Sequence, residues 1–149
     1  MPTGYGIATG DEGTLPWSWV VEQCTKSRNY WICTTRPDGR PHAMPVWGLW
    51  LDDAVVFSTD PESLKARNFR ARPEVVVHLE SGDDMVVIEG RVEALERSLL
   101  AQFIDAYEVK YDYRPNAEQT EGVYVVRPRR VLAWREKDFP TSATRYDAD

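Results

Sequence analysis

The sequence predicts a mainly β protein, an antiparallel barrel with helices packed on its outside, from two observations. First, the predicted strands follow one another in hairpin runs rather than alternating with helices, which argues against a doubly wound parallel sheet. Second, about seven short strand patterns are separated by turn signals such as "RPDGR", in which Pro37 presets φ and Gly39 tolerates a positive φ. Three helical patterns complete the prediction.

The first helix is predicted from apolar residues at helical spacing. Trp17 and the apolar residues three, four and seven positions after it lie on one helical face. We expect this helix to run to about Ser27, with Thr14 as its N-cap and Pro16 in its first turn.

A three-stranded meander is predicted next. Pro45 falls within its second strand and indicates an edge or a bulge, because proline cannot donate to the ladder. Trp47 and Trp50 are expected on opposite faces of that strand. The three strands are predicted at Tyr30–Thr35, His42–Leu51 and Ala54–Thr59.

The rest of the chain is predicted to contain two more helices and four more strands. Asp60 is expected to cap the second helix, with Pro61 at its first position and its end before Pro73. Gly90 indicates a bulge or a close approach of another backbone. The remaining elements are strands Glu74–Glu80 and Met85–Leu95, an amphipathic helix at about Glu96–Tyr111, and a final strand pair, "VYVVRP" and "VLAW", around the "RPRR" turn.

Composition excludes several classes of protein. A formal charge of -6 over 149 residues argues against nucleic-acid binding, which needs a basic surface. The longest nearly apolar run, "AMPVWGLWL", is too short to span a bilayer, and the first residues lack the pattern of a signal peptide, so we expect a cytoplasmic protein without membrane contact. Residues 1–13 are Gly-rich and polar and are predicted to be a flexible arm, with residues 14–149 forming one domain.

Cysteine and histidine usage indicates no metal site. Cys24 and Cys33 form no metal-binding spacing and are predicted to be reduced, buried thiols. His42 can act as a titratable group, although a lone histidine on a strand is also typical of a structural residue. His78 is interpreted as a packing residue. No nucleophile–base pair is evident, so an enzyme of this sequence would take its chemistry from an organic cofactor rather than from a catalytic side chain.

The stretch "STDPESLKARNF" has the features of an anion site. A helix N-terminus offers free N–H groups, and here it follows a strand that ends in hydroxyl residues. Lys65 and Arg67 could add charge-assisted hydrogen bonds. The same pattern is typical of a capped surface helix with solvated cations, so the residue types alone leave both readings open.

Three segments in order resemble a known superfamily. "TTRPDGRPHAMPVWG", "VVFSTDPESLKARNFRARPEVVVHLE" and "MVVIEGRVEAL" are together similar to the pyridoxamine 5'-phosphate oxidase-like flavin and deazaflavin oxidoreductases, over about residues 17–135. The "PVW" and "KARN" pieces resemble the actinobacterial-type branch, in which both FMN and coenzyme F420 binders occur. The resemblance implies a Greek-key split β-barrel and a homodimer with cofactor sites at the subunit interface.

The resemblance also implies a set of cofactor contacts. His42, on the second strand, and Trp134, supplied by the partner subunit, are expected at the edge of the site. The sequence departs from the true pyridoxamine-phosphate oxidases, since its second strand has no cation after His42 and "AWREKDF" lacks their Arg-x-His signature, so vitamin B6 oxidation is not expected. The implied contacts are Ser58, Thr59, Ser63, Lys65, Arg67 and Asn68 for the phosphate, and Met44, Pro45, Val46 and Trp47 for the ring.

Three functions follow as hypotheses. The first is a reductase that transfers a hydride between bound F420 or FMN and a small molecule. The second is a non-catalytic protein that binds or carries a flavin, a deazaflavin or a haem, with His42 as an axial ligand for haem. The third, a barrel for an apolar ligand, does not explain the pattern of Ser63 and Lys65.

Overall fold

The computed structural model describes residues 14–117 and 120–148, so the predicted arm at residues 1–13 lies outside the described residues. The helices are α1 (Trp17–Lys26), α2 (Leu64–Ala71), α3 (Leu100–Tyr111) and the short α4 (Phe139–Ser142). The strands are β1 (Asn29–Thr35), β2 (Pro41–Leu51), β3 (Ala54–Ser58), β4 (Glu74–Leu79), β5 (Asp84–Ala94), β6 (Val123–Arg135) and β7 (Thr144–Asp147).

The strands form one antiparallel sheet that closes on itself. Their order is β3-β2-β1-β4-β5-β6-β7, and β3 also pairs with β6, which closes six strands into a barrel. β7 extends the sheet beyond β6. The predicted class, mainly β with a split barrel and peripheral helices, is confirmed.

The barrel interior is an apolar core set by strand alternation. Ile32, Val77, Ile88 and Val131 are paired in register across four neighbouring strands and are all buried. Helix α1 adds Val20 and its neighbours to the same hydrophobic cluster. A second cluster lies outside the barrel, where α3 packs Phe103 and Ile104 against Leu49, Val56 and Val125.

Strand β2 pairs with a different neighbouring strand along each part of its length. It pairs with β1 from Pro41 to Trp47, and with β3 only from Gly48 to Leu51. No described strand pairs with the other edge of residues 41–47, so Pro45 lies on a local edge, as predicted. Trp47 and Trp50 lie on opposite faces, also as predicted, since Trp50 packs with the core cluster and Trp47 stacks on α3.

Two helix starts differ from the prediction. The N-cap of α1 is Pro16, not Thr14, because a residue before proline avoids the helical conformation and Leu15 therefore stays outside the helix. The N-cap of α2 is Ser63, not Asp60. Asp60 instead forms a turn before the helix, with its side chain accepting from the N–H of Glu62 at 2.8 Å.

The third helix is also shorter than predicted, since a 3₁₀ turn at Arg97–Leu99 precedes α3. Cys24 is buried, as predicted, whereas Cys33 is only half-buried because it lies on the outer face of β1. Neither cysteine forms a disulfide.

The predicted final strand pair is one continuous strand, β6. Pro128 does not start a turn because it lies opposite Gly90 at a β-bulge, where neither β3 nor β7 pairs with β6. The prediction of a bulge or a close backbone approach at Gly90 is confirmed on both counts. A Cβ at Gly90 would lie 2.5 Å from the carbonyl oxygen of Arg127. The last strand of the sheet, β7, has no counterpart in the prediction.

No helix among the described residues is long and apolar enough to cross a membrane.

Candidate functional site

The edge of β2 that pairs with no other strand diverges from the chain after β3. Gly48 and Phe57 are the last residues that pair between β2 and β3, and Trp47 and Ser58, next in register, do not pair. Strand β2 and the segment after β3 separate at this point. Helix α2 begins shortly afterwards and contacts both β1 and β2. We call this separation, from residues 41–47 to residues 58–65, the β2 groove.

The N-terminus of α2 brings hydroxyl groups to the groove. The hydroxyl of Ser63 donates to the carbonyl of Asp60 at 2.7 Å and accepts from the N–H of Ala66 at 3.3 Å. The hydroxyl of Thr59 lies 3.4 Å from that of Ser63. The first N–H groups of an α-helix have no acceptor within the helix, and the cap satisfies only part of this set.

Two basic side chains are close to this helix start. Lys65 is half-buried, and the loss of hydration lowers its pKa, against the smaller opposing effect of Asp60. None of the ion pairs found among the described residues includes Lys65. The Nδ1 atom of His42 is buried without a hydrogen-bond partner. Burial lowers the pKa of His42, and the charges of Arg36 and Lys65 lower it further.

An anion would relieve both conditions. It would give Lys65 a counter-charge, and it would reduce the positive field that disfavours protonation of His42. The residues at this end of the groove therefore fit a phosphate group.

Arg67 and Asn68, the last two residues implied for the phosphate, are placed differently from Thr59, Ser63 and Lys65. Asn68 is 2% exposed and donates from Nδ2 to the hydroxyl of Thr34 at 3.0 Å, which ties α2 to β1. Arg67 is exposed. The structure thus brings Thr59, Ser63 and Lys65 together, leaves Arg67 at the surface, and uses the Asn68 side chain within the fold.

The residues implied for the ring lie on two faces of β2. Met44 and Val46 pair in register with Ile32 and Tyr30, whose side chains point into the barrel. Met44 and Val46 therefore also face the interior side of the sheet. Pro45 and Trp47 face the outer side. Met44 and Trp47 are 48% and 38% exposed, large values for such apolar side chains, and they leave an apolar surface along the strand edge.

Helix α3 holds this edge in place, a role that the sequence analysis missed. The Trp47 and Tyr111 rings are stacked, with centroids 4.7 Å apart and planes 1° apart. The Tyr111 hydroxyl accepts from the N–H of Gly48 at 2.9 Å and lies 2.8 Å from the Gly48 carbonyl. The Arg28 guanidinium is 4.6 Å from the centre of the Trp47 ring. Helical spacing predicts this amphipathic helix but does not identify the partners of Tyr107 and Tyr111.

The contacts of Lys110 could not be predicted from the sequence either, because helical spacing does not identify the partners of a residue. Its Nζ donates to the Tyr30 hydroxyl at 3.0 Å and to the Gly48 carbonyl at 2.9 Å. Burial lowers the pKa of Lys110 to about 8, against the opposing effect of Cys24. Two side chains of α3 therefore converge on Gly48, where β2 begins its free edge.

A cleft of about 450 Å³ lies between the end of β3, α3 and the chain before β6. We call it the α3 cleft. No local pattern in the sequence indicates it, since its walls come from three separate segments. Its lining includes Ser58, Thr59, Asp60, Tyr107, Tyr113 and Glu121.

Trp134 lies near the end of β6, beyond the residues of that strand that pair with β3, and it pairs in register with Met85 of β5. Its Nε1 is buried without a partner, and its ring packs edge-on against Phe139 at 5.1 Å. Among residues 14–117 and 120–148, no group of three or more His, Cys, Asp or Glu side chains could hold a metal ion.

Comparison with known proteins identifies a family and a shared fold. The family model described as pyridoxamine 5'-phosphate oxidase matches residues 20–135. None of the curated proteins matches the chain.

Several solved structures share the fold. A structure named as an F420 reductase is 24% identical with a TM-score of 0.59, covering 72% of this chain and 90% of its own. A conserved hypothetical protein from Mycobacterium tuberculosis is 24% identical with a TM-score of 0.69, over 83% and 86% of the two chains. A haem storage protein from Vibrio cholerae is 15% identical with a TM-score of 0.61, over 73% and 87%.

Proposed function

Since the chain belongs to the pyridoxamine 5'-phosphate oxidase family, we propose that it is an oxidoreductase that binds FMN or F420 in the β2 groove and reduces a small molecule. The observation that carries the proposal is the position of the α2 N-terminus beside the free edge of β2. One end of the groove fits a phosphate, and the other presents an exposed apolar strand edge that suits a flat ring.

In this proposal the protein binds and orients, and the bound ring supplies the hydride chemistry. Thr59, Ser63 and Lys65 would hold the phosphate, with Ser58 beside them. Met44, Pro45, Val46 and Trp47 would line the ring. Tyr111 and Lys110 would keep this edge in position through their hydrogen bonds to Gly48.

The branch of the family is part of the proposal. The "PVW" and "KARN" pieces and the structural similarity to a protein named as an F420 reductase favour the branch that binds F420 or FMN. Arg67 is exposed on α2, and its guanidinium could form hydrogen bonds to an anionic cofactor tail. Vitamin B6 oxidation is not proposed, because no cation follows His42 on β2.

We also propose that two copies form the working unit, with the cofactor sites at their interface. One face of the sheet carries a row of half-exposed side chains that belong to neither hydrophobic cluster: Trp31, His78, Val87 and Leu132. A second copy seated on this face would bury the row, and its Trp134 could then approach the groove. Free Cys24 and Cys33 suit a reducing compartment, and we place the protein in the cytoplasm.

The test begins with the absorbance spectrum of the purified protein and the mass of any molecule that it carries. FMN and F420 are then titrated separately, and fluorescence quenching is followed. Lys65→Ala should weaken binding by about 1–3 kcal/mol, the range for losing a hydrogen bond to a charged group. Lys26→Ala, which removes an exposed lysine from α1, is the matched control. Absence of saturable binding by either cofactor would refute the proposal.

A non-catalytic haem carrier is the second candidate, because the Nδ1 of His42 has no partner among the described residues and imidazole nitrogen is a common haem ligand. Haem titration distinguishes the two. A Soret band that shifts in His42→Ala, together with no turnover of bound FMN or F420 by any electron acceptor, would favour the carrier. An unchanged band in the variant would exclude His42 as the ligand.

A further inference from the structure

We infer that the α3 cleft is the site of the second reactant and that it selects a flat aromatic cation over an anion of the same shape. This inference rests on the proposed function, which places the cofactor ring along β2. It adds a site and a ligand class that the family membership does not supply.

The cleft is joined to the β2 groove through aromatic side chains. Tyr107 lines the cleft, and its ring centre is 6.4 Å from that of Trp47 on β2. Tyr113 also lines the cleft, with its ring centre 6.5 Å from that of Tyr107 and its plane at 70° to the Tyr107 ring. Two rings at this angle offer an edge and a face to a flat molecule, and ring faces attract cations.

The charges that line the cleft are negative. Among the described residues that line it, Asp60 and Glu121 are charged, and none is a lysine or an arginine. Neither carboxylate takes part in an ion pair among the described residues. Lys65 is within electrostatic reach of Asp60 and offsets part of its charge, so Glu121 should contribute more of the selectivity.

The backbone holds Glu121 at the cleft. The N–H of Thr59 donates to the carbonyl of Gly122 at 3.0 Å, which joins the chain before β6 to the end of β3. Gly122 has a φ of 69°, and a Cβ there would lie 2.5 Å from the carbonyl oxygen of Thr59. The close approach requires glycine, and it holds the backbone next to Glu121 against the end of β3.

The size of the cleft suits a small ligand. Its volume of about 450 Å³ is within the usual range for small-molecule sites. Ser58 and Thr59 add hydroxyl groups at the wall that it shares with the β2 groove. A flat cation in the cleft would therefore contact aromatic walls, carboxylates and hydroxyls at the side of the groove.

The test compares two probes of matched shape, 1-naphthylmethylammonium and 1-naphthoate. Each is titrated by calorimetry into the protein as purified and into the FMN-loaded protein. We expect the ammonium probe to bind at least about fivefold more tightly, the effect of one unit charge near 4 Å in a water-like medium. Glu121→Gln should lower the ratio of the two probe affinities by about fivefold, whereas the control Glu62→Gln should leave this ratio unchanged. Tyr113→Ala should weaken both probes.

Three results would overturn the inference. They are equal or tighter binding of 1-naphthoate, no binding of either probe, and identical effects of Glu121→Gln and Glu62→Gln. Because the probes are also tested without FMN, the result is separate from the cofactor test. Loss of FMN and F420 binding with the probe preference retained would refute the proposed cofactor alone, and the cleft would still select cations.

Discussion

At the scale of single residues, Gly90 sets the geometry of the longest strand pair. A Cβ at this position would lie 2.5 Å from the carbonyl oxygen of Arg127 and 2.9 Å from a methyl group of Val126. Both neighbours belong to β6 and cannot move without disturbing the bulge. The glycine is therefore required by contact rather than by its backbone angles.

We predict that Gly90→Ala lowers the free energy of unfolding by about 1–3 kcal/mol, the usual cost of overpacking a core. Gly82→Ala is the matched control, because a Cβ at Gly82 meets nothing within 4 Å. Urea denaturation of both variants gives the comparison. Equal stability of the two variants would mean that the bulge relaxes without cost.

Lys110 should make the stability of the fold depend on pH. Its pKa is lowered from 10.5 to about 8, so the folded state disfavours its charge. Below pH 8 both the folded and the unfolded chain carry the charge, and the full penalty is present. As the pH rises from 8 towards 10.5, the folded chain loses the proton while the unfolded chain keeps it, and the penalty disappears. The contribution of Lys110 to stability therefore rises with pH in this window.

Lys110→Met removes this contribution and keeps most of the apolar stem. We expect the difference in melting temperature, wild type minus variant, to rise between pH 7.5 and pH 9.5. The difference is the useful quantity, because burial raises the pKa of the Cys24 thiol to about 12 and gives an opposite slope above pH 9 in both proteins. Melting curves that shift in parallel would show that the charge of Lys110 is not disfavoured by folding.

At the scale of elements, α3 determines the position of the free edge of β2. The Tyr111 hydroxyl contacts both the N–H and the carbonyl of Gly48, and it also lies 2.7 Å from the carbonyl of Arg28. One hydroxyl thus joins α3 to β2 and to the chain before β1. This contact lies next to Trp47, where the proposed ring site begins.

Tyr111→Phe should lower the free energy of unfolding by about 1–3 kcal/mol, because the buried N–H of Gly48 would lose its acceptor. It should also weaken cofactor binding, since the β2 edge would be less well held. Tyr113→Phe, at a side chain that is 61% exposed, is the control and should have little effect on stability. A loss of stability with unchanged cofactor affinity would separate the two roles of α3.

The prediction from sequence worked where the information was local. Short strand patterns separated by turn signals predicted the first five strands, and Pro45 indicated the edge of β2 correctly. It failed at Pro128, because a proline opposite a bulge and a proline in a turn have the same local signature. Only the pairing of β6 with β5 decides between them.

The candidate site shows the same limit. Thr59, Ser63 and Lys65 are neighbours in sequence, and their grouping could be read from it. The contacts of Tyr111 and Lys110 with Gly48 span 63 and 62 residues, so no local pattern could reveal them. The α3 cleft was missed for the same reason, because its walls come from distant segments.

At the scale of the whole molecule, the barrel has one sheet face that its own hydrophobic clusters leave partly exposed. The row of Trp31, His78, Val87 and Leu132 runs across four strands, and Trp31 and His78 are stacked with their planes 9° apart. By contrast, α3 covers the outer faces of β2, β3 and β6. A half-exposed apolar row on a sheet is typical of a surface that a partner covers.

We predict that the protein is a dimer in solution and that Val87→Glu converts it to a monomer, because the new carboxylate would be buried without a partner at the centre of the interface. Light scattering after size-exclusion chromatography, over a concentration series, gives the mass. Val109→Glu is the matched control, since Val109 is 88% exposed on α3 and should not affect assembly. If the cofactor site is shared between subunits, Val87→Glu should also lose FMN and F420 binding while Val109→Glu retains it. A monomeric Val87→Glu protein that binds the cofactor with wild-type affinity would place the whole site within one chain.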